Sequence, residues 1–307
     1  MARLLVTGAG GMVGRNLLAH PGIAAWQVMA PARAELDLCD AETTRDWLMR
    51  HRPDAVVHAA GRVGGIQANM AEPLRFLDEN ARIGLNLVAA CRAARVPVLI
   101  NLGSSCVYPR DLGRGLSEEQ ILTGPLEPTN EGYALAKIMA MRAVDYACRE
   151  DPALLWRTLV PCNLYGPHDS FDPARSHLLA AVIDKLHRAR IAGAAEVEIW
   201  GDGEARREFM YAPDLAEAIL RALADPARLP PVMNVGPGQD HSINDYYRIA
   251  AEVIGWHGRF RHDLARPVGM RQKLMSVARQ AAWGWAPATP LRDGIAATYA
   301  HYLEHHA

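Results

Sequence analysis

Arg3-Leu-Leu-Val-Thr7 runs directly into Gly8-Ala-Gly-Gly11-Met-Val-Gly14. The first part is a short apolar run of the kind that forms a strand buried on both faces. Gly8, Gly11 and Gly14 follow at three-residue spacing, and a helical pattern starts near Met12. Glycine permits the tight turn, lets backbone N–H groups approach a pyrophosphate and allows the helix to pack closely on its strand. The helix N-terminus then faces the phosphates. The spacing differs from G-x-G-x-x-G, yet the context is strand, glycines, helix, so a dinucleotide cradle is favoured over a plain glycine turn.

The strands downstream extend this unit. Trp26 to Ala30 reads as the second strand, Ala55 to Ala59 as the third and Val98 to Leu102 as the fourth, with helical patterns at Thr43 to His51 and Pro73 to Ala94 between them. This alternation with short connections predicts right-handed βαβ units, a Rossmann-type doubly wound parallel sheet in an α/β fold. An acidic side chain after the second strand would bind the ribose 2′-hydroxyl of NAD. The sequence there is Ala30-Pro-Ala-Arg33, and a guanidinium suits a 2′-phosphate, so NADP is favoured over NAD; the alternative is a solvated Arg33 in a loop. Asp37 and Leu38 are placed to flank the adenine, and Gly61-Arg-Val-Gly64-Gly65 makes a second glycine turn at a strand's carboxyl end.

Glu127-Pro-Thr-Asn-Glu-Gly-Tyr133-Ala-Leu-Ala-Lys137 passes from a turn-rich run into a helix. Residues four apart share one helix face, so the phenol of Tyr133 and the ammonium of Lys137 point the same way. A nearby positive charge lowers a phenol's pKa and brings it within range of proton transfer. Gly103-Ser104-Ser105-Cys106-Val107-Tyr108-Pro109, after the fourth strand, directs hydroxyls and a thiol at the same place. Alone, each has a plain reading: a turn serine caps backbone, a lone cysteine packs as a small hydrophobe. With Tyr133 and Lys137 they read as a site.

Composition narrows the alternatives. The 307 residues, 50% hydrophobic and 22% charged, suffice for one large core or two moderate ones. A net charge of −1 leaves no basic field for nucleic acid. The five cysteines show no paired spacing, so neither a disulfide framework nor structural zinc is expected. No signal-like or membrane-length apolar run is visible, and a reduced cytoplasmic setting is expected. His301 and His305, four apart near the end, read as a solvated helix face rather than a metal site.

On these motifs the chain resembles the extended short-chain dehydrogenase/reductases and, within them, the GDP-L-fucose synthase family of GDP-4-keto-6-deoxymannose 3,5-epimerase/4-reductases. The glycine run, Val63-Gly-Gly-Ile66, the Ser104 to Pro109 run, Leu126 to Glu131, Pro161-Cys-Asn163-Leu-Tyr-Gly-Pro-His-Asp169, Ser176-His177, Trp200-Gly-Asp-Gly203 and Arg207-Glu-Phe209 carry the resemblance. It implies a catalytic set of Ser104, Tyr133 and Lys137, with Cys106 and His177 for epimerisation. It implies NADP contacts from Gly8, Gly11, Met12, Val13, Gly14, Arg33, Asp37, Leu38, Ala60, Tyr133, Lys137, Pro161, Asn163, Leu164 and His177. For the substrate it implies Ser104, Ser105, Cys106, Asn163, Lys185, Trp200, Arg207 and Lys273. Two departures stand out. Gly132 occupies the position usually Pro before the tyrosine, which is expected to loosen the helix start, and Ser276 replaces a usual aspartate and is expected to cap a helix.

The expected organisation is an NADP-binding domain over 1–160, with parts of 204–240 returning to it, and a smaller α/β substrate-binding region over 161–307. Helices over Ser176 to Arg190 (with His177 on its first turn), Asp214 to Leu223 and Ile243 to Ile254, and strands over Leu155 to Val160, Val197 to Trp200 and Val232 to Gly236, are predicted there. Arg206 reads as solvated, and Arg271 and Lys273 as lying just before the last helices. Leu85, Val88 and Ala89, with Ile138, Met139, Met141 and Val144, exceed what one sheet covers, and together with the resemblance they imply a homodimer through a four-helix bundle. The remaining alternatives are a reductase or epimerase/reductase of a related GDP-4-keto-deoxy sugar or heptose, and an NADP-binding protein without turnover.

Overall fold

The structure, a computed structural model, describes residues 1–172, 176–266 and 270–306. Strand β1 (Arg3–Thr7) leads through the glycine turn into α1 (Met12–Ala19), followed by β2 (Gln27–Met29), α2 (Ala41–His51) and β3 (Ala55–His58). The short α3 (Ile66–Ala71), the long α4 (Pro73–Ala93), β4 (Val98–Leu102), a short β5 (Arg114–Leu116), α5 (Glu131–Glu150) and β6 (Leu155–Pro161) come next. Then β7 (Asn163–Tyr165), α6 (Leu178–Ile191), β8 (Glu196–Trp200), β9 (Arg206–Arg207) and β10 (Phe209–Tyr211) precede α7 (Ala212–Ala224) and β11 (Val232–Val235). The last elements are β12 (His241–Ser242), α8 (Ile243–Ile254), β13 (Arg259–Asp263), β14 (Gln272–Met275), α9 (Ala278–Trp283) and α10 (Leu291–His306).

Six strands form one parallel sheet in the order β11-β6-β4-β3-β1-β2. Side chains alternate between its faces. Leu4 and Val6 pack toward α1 and α7 with Leu17, Leu215 and Ile219, whereas Leu5 packs with Leu48 of α2, Leu87 of α4 and Val144 of α5. Both faces are covered, which is why these strands are nearly all apolar. The strand β11 belongs to this sheet although β7 to β10 intervene, pairing Val232–Val235 with Thr158–Pro161. A separate core of Leu179, Ile183 and Leu186 (α6), Tyr246 and Ile254 (α8), and Ile295 and Tyr299 (α10) supports the other half. Among the described residues no helix is long and apolar enough to cross a membrane.

Several sequence expectations are revised. Val88, Ile138, Met141 and Val144 are buried within the subunit, so Leu85, Ala89 and Met139 are what remains exposed of the proposed dimer face. Gly132 does not loosen its helix. A Cβ there would lie 2.7 Å from the Pro73 carbonyl oxygen, so glycine lets the starts of α4 and α5 touch. Helix α5 begins at Glu131 rather than Tyr133, behind a single 3₁₀ turn over Pro128–Asn130. The residue capping α9 is Val277, so Ser276 is no cap; its backbone instead bonds Leu116 and Asn234.

The closest backbone approach lies in the opening motif. A Cβ on Gly14 would sit 2.4 Å from the Gly8 carbonyl oxygen and 2.5 Å from the Ala9 Cα, both immovable without parting α1 from β1. Gly14→Ala should therefore cost about 2 kcal/mol of stability; a denaturant midpoint equal to the parent's would contradict this packing.

Candidate active site

The carboxyl end of β4 and the first turns of α5 meet at one place. Ser104 ends an extended segment, and its Oγ accepts a hydrogen bond from the Cys106 backbone N–H at 3.3 Å, which winds Ser105–Val107 into a single 3₁₀ turn. Ser104 also hydrogen-bonds the Tyr133 phenol. Asn130 Nδ2 donates to Cys106 Sγ at 3.2 Å. Lys137 is buried, donates from Nζ to the Leu102 carbonyl at 3.0 Å, and lies 5.8 Å from the Tyr133 ring centroid. Ser105 is 4% exposed, so its side chain belongs to the packing beneath the turn. Beside Tyr133 a cavity of about 190 Å³ opens between α3 and the turn before α5, lined among others by Asn69, Phe76, Asn130 and Tyr133.

The electrostatics correct one expectation. Burial, and then the proximity of Cys106, pushes the Tyr133 phenol well above its usual range, and the Ser104 hydrogen bond only partly opposes this. Burial, Cys106 and Ser104 set this shift, not the Lys137 ammonium. A phenol that keeps its proton is the form required of a proton donor. Burial likewise pulls Lys137 down to about 8, with the Cys106 charge opposing. His58, buried and 2.9 Å from the Thr7 hydroxyl through Nδ1, is driven to about 3 by burial and then by the Lys137 charge, so it is neutral.

The glycine turn is shaped for a dinucleotide phosphate. Gly8 has φ of +69°, and a Cβ on it would strike Ala59 and Ala60 at 2.7 Å. Gly10 faces open space, and Gly11 at the helix N-cap brings no side-chain bond, so the first N–H groups of α1 have no side-chain cap. Met12 and Val13 begin that helix, and the Ala60 N–H is fixed on the Thr7 hydroxyl at 3.3 Å. Arg33 lies in the turn after β2, 69% exposed in its side chain and 3.7 Å from Asp37. Asp37 also accepts from the Cys39 N–H, while Leu38 is buried and its carbonyl holds Asn86. Pro161 ends β6, Asn163 bonds the Glu208 carbonyl through Nδ2, and Leu164 packs against the main core.

The second wall comes from the other half. Arg207 and Lys273 are direct register partners in the parallel pair β9–β14, so their side chains leave the sheet on the same face. Two cations side by side there suit a diphosphate. Glu127 acts on Arg207 from the Tyr133 side, its charge opposing the downward pull of burial. Lys273 thus lies in β14, just before the last helices α9 and α10 as expected. Arg206, 43% exposed in its side chain, is also paired: its Nε is 2.8 Å from Asp240, whose other oxygen holds Gln272. Lys185 is bound to the Glu198 carbonyl on β8, and Trp200, 43% exposed, has Arg266 over its ring at 5.1 Å. His177 caps α6 from just outside its first turn; it is exposed, and the neighbouring Ser176 carbonyl comes within 3.4 Å of where a Gly65 Cβ would stand.

The polar staples were not read from the sequence. Asn80 grips both backbone groups of Arg62, Asn69 bonds the Gly64 and Gly65 carbonyls, and Asn16 ties α1 to the Pro167 carbonyl. Glu208, 1% exposed, accepts from the Gly238 and Met275 N–H groups, and its burial raises it to about 7. Their partners lie far along the chain or on loop backbone, so nothing next to them in the sequence signals the bonds. His301, Glu304 and His305 gather their donor atoms within 4.8 Å of one another on the last turn of α10, where Glu304 and His305 are exposed.

The profile of the NAD dependent epimerase/dehydratase family matches residues 4–236. The chain belongs to that family. It is 50% identical to a GDP-L-fucose synthase of Azorhizobium caulinodans over 98% of this chain and 96% of the relative. It is 47% identical to a GDP-L-colitose synthase of Yersinia pseudotuberculosis over 98% of each. The solved structure of a GDP-L-fucose synthetase from Naegleria fowleri bound to NADP superposes with a TM-score of 0.87 at 25% identity, covering 99% of this chain and 93% of that one.

The buried ammonium of this family member makes a pH-dependent prediction. Folded Lys137 loses its proton near 8, the unfolded side chain near 10.5. Below 8 both states carry the proton and the native state bears the full burial cost; between 8 and 10.5 the unfolded state binds more protons, so stability rises with pH. Across that window the rise is roughly 3 kcal/mol. Lys137→Met should remove this slope, read as the difference between parent and variant in urea midpoints at pH 7.5 and 10; equal slopes would place the ammonium in solvent.

Proposed function

We propose that this protein is a bifunctional 3,5-epimerase and NADPH-dependent 4-reductase that converts GDP-4-keto-6-deoxymannose to GDP-L-fucose. The observation that carries the reading is the gathering of a thiol, two hydroxyls and a buried ammonium at one strand end, facing paired cations fit for a diphosphate. A plain reductase needs no thiol there. The near-full-length relatives, a GDP-L-fucose synthase and a GDP-L-colitose synthase, support the same chemistry.

The ketone at C4 acidifies the protons on C3 and C5. Ser104 and Tyr133 hydrogen-bond the ketone oxygen and stabilise the enolate where its charge develops. At each centre in turn the Cys106 thiolate removes the proton and the His177 imidazolium delivers one to the other face; between the two inversions Cys106 releases its proton to solvent and His177 takes one up. A thiol is a weak base until deprotonated, so its neighbours matter. Hydride for C4 would come from NADPH held at the glycine turn. Tyr133, holding its proton, donates it to the forming alkoxide, and Lys137 fixes the phenol's helix against β4. Reduction comes last, because once C4 is an alcohol the adjacent C–H bonds lose their acidity. Gly8, Gly11 and Gly14 cradle the cofactor's pyrophosphate, Arg33 takes its 2′-phosphate, and Arg207 and Lys273 take the diphosphate of the sugar nucleotide.

A second reading, a related GDP-4-keto-deoxy sugar as substrate, is favoured by the comparable identity to the GDP-L-colitose synthase. Competing turnover of the two keto-sugars decides between them. In deuterated water the parent enzyme should place deuterium at C3 and C5 of GDP-L-fucose. Cys106→Ser should suppress this exchange while NADPH binding is unchanged, and its residual product should be unepimerised. Full exchange in that variant would reduce the reading to a plain 4-keto-sugar reductase.

We also infer a homodimer through α4 and α5, supported by the exposed apolar set Leu74, Leu85, Leu135, Met139 and Tyr146 on these two helices. Sedimentation at micromolar concentration should give twice the mass of the 33.6 kDa chain; a monomer would refute the arrangement.

A further inference from the structure

Asn130 occupies the N-cap of α5, a position where its side chain ordinarily accepts from the first-turn N–H groups. Here it makes no such bond. The turn ahead of it is held by Glu127 instead, whose Oε1 accepts from the Thr129 N–H and, at 3.1 Å, from the Thr129 hydroxyl. Freed from capping, the Asn130 amide reaches across to the β4 turn and donates to Cys106 Sγ at 3.2 Å. Its Oδ1 is buried with no partner. A buried acceptor left bare is a cost, and it is retained where the other end of the group is committed to something. Resting on the reading of Cys106 as the epimerisation base, we propose that Asn130 is the positioning residue of that thiol, aiming Sγ and favouring its ionised form through the donated amide hydrogen.

The chemistry supports the direction. An amide N–H can only donate, so it stabilises sulfur as an electron-rich acceptor; a hydrogen bond to the charged form of a group favours that form. The donor is also well anchored. The 2.7 Å limit between a Gly132 Cβ and the Pro73 carbonyl fixes where α5 starts, and the Lys137 bond to Leu102 fixes α5 on β4 one helical face further on. Sulfur and amide are therefore held by two elements that cannot slide apart. No proton or electron is transferred by Asn130 itself; Cys106 takes the substrate proton and His177 supplies the one that replaces it.

Asn130→Ser and Asn130→Asp test the assignment. Serine restores a good cap, so Asn130→Ser should keep or raise the thermal midpoint. The pH at which Cys106 reaches half its limiting alkylation rate by iodoacetamide, followed on its own peptide by mass spectrometry without substrate, should move up by about one unit, the tenfold change a charge-assisted hydrogen bond is worth. Deuterium incorporation at C3 and C5 should fall about tenfold by the same reasoning. Asn130→Asp, an acceptor with negative charge, should move both further in the same direction; retention of exchange in Asn130→Asp would mean the amide acts as an acceptor and would overturn the proposal. Cys106→Ser in parallel keeps the two failures apart. Full exchange there removes the base assignment, whereas an unmoved alkylation profile in Asn130→Ser removes the role of Asn130 whatever the exchange shows.

Discussion

The hydrogen bond from buried Lys137 Nζ to the Leu102 carbonyl joins α5 to the end of β4, and the site depends on it. An ammonium taken out of water is costly unless its protons find partners. Here the partner is the last carbonyl of the strand that leads to Ser104 and Cys106, so satisfying the charge also sets the Ser105–Val107 turn. Four residues earlier on the same helix face, Tyr133 is brought to Ser104; at the helix start, Asn130 is brought to Cys106. The same burial that pulls Lys137 down drives Tyr133 up, which leaves a cation and a protonated acid side by side at neutral pH.

Around this crossing the loops are held by buried polar side chains rather than by regular pairing. Asn234 is the clearest case. Its side chain accepts from the Tyr108 hydroxyl at 2.6 Å and donates to the Leu116 and Ser276 carbonyls, tying β11 to the segment after the catalytic turn and to the segment before α9. Glu208 does the same between β10 and β14. Satisfied networks of this kind in a low-dielectric interior are stiff.

Net charge gives no hint of the second wall. The chain is close to neutral overall, with surface cations largely in pairs such as Arg75 with Glu79 and Arg82 with Asp78. Arg206 is paired with Asp240 in the same way, and its neighbour Arg207 lies opposite its register partner Lys273 on one sheet face. The local field follows from strand register, which a count of charges cannot contain.

The sequence by itself determined what depends on neighbours along the chain. The apolar run and glycines of Arg3 to Gly14 specify β1, the turn and α1; Val98–Leu102 and Ile243–Ile254 coincide with their elements; and four-residue spacing puts Tyr133 and Lys137 on one face of α5. These are short-range consequences of steric and helical geometry. Tertiary structure alone decided the rest. The strands Arg114–Leu116, Arg206–Arg207 and His241–Ser242 are two or three residues long and exist only because a distant partner offers its backbone. The Asn130 contact with Cys106 spans 24 positions. The direction of the Tyr133 shift turned on burial, because desolvation is set by everything packed around a group and is written at no single place in the chain.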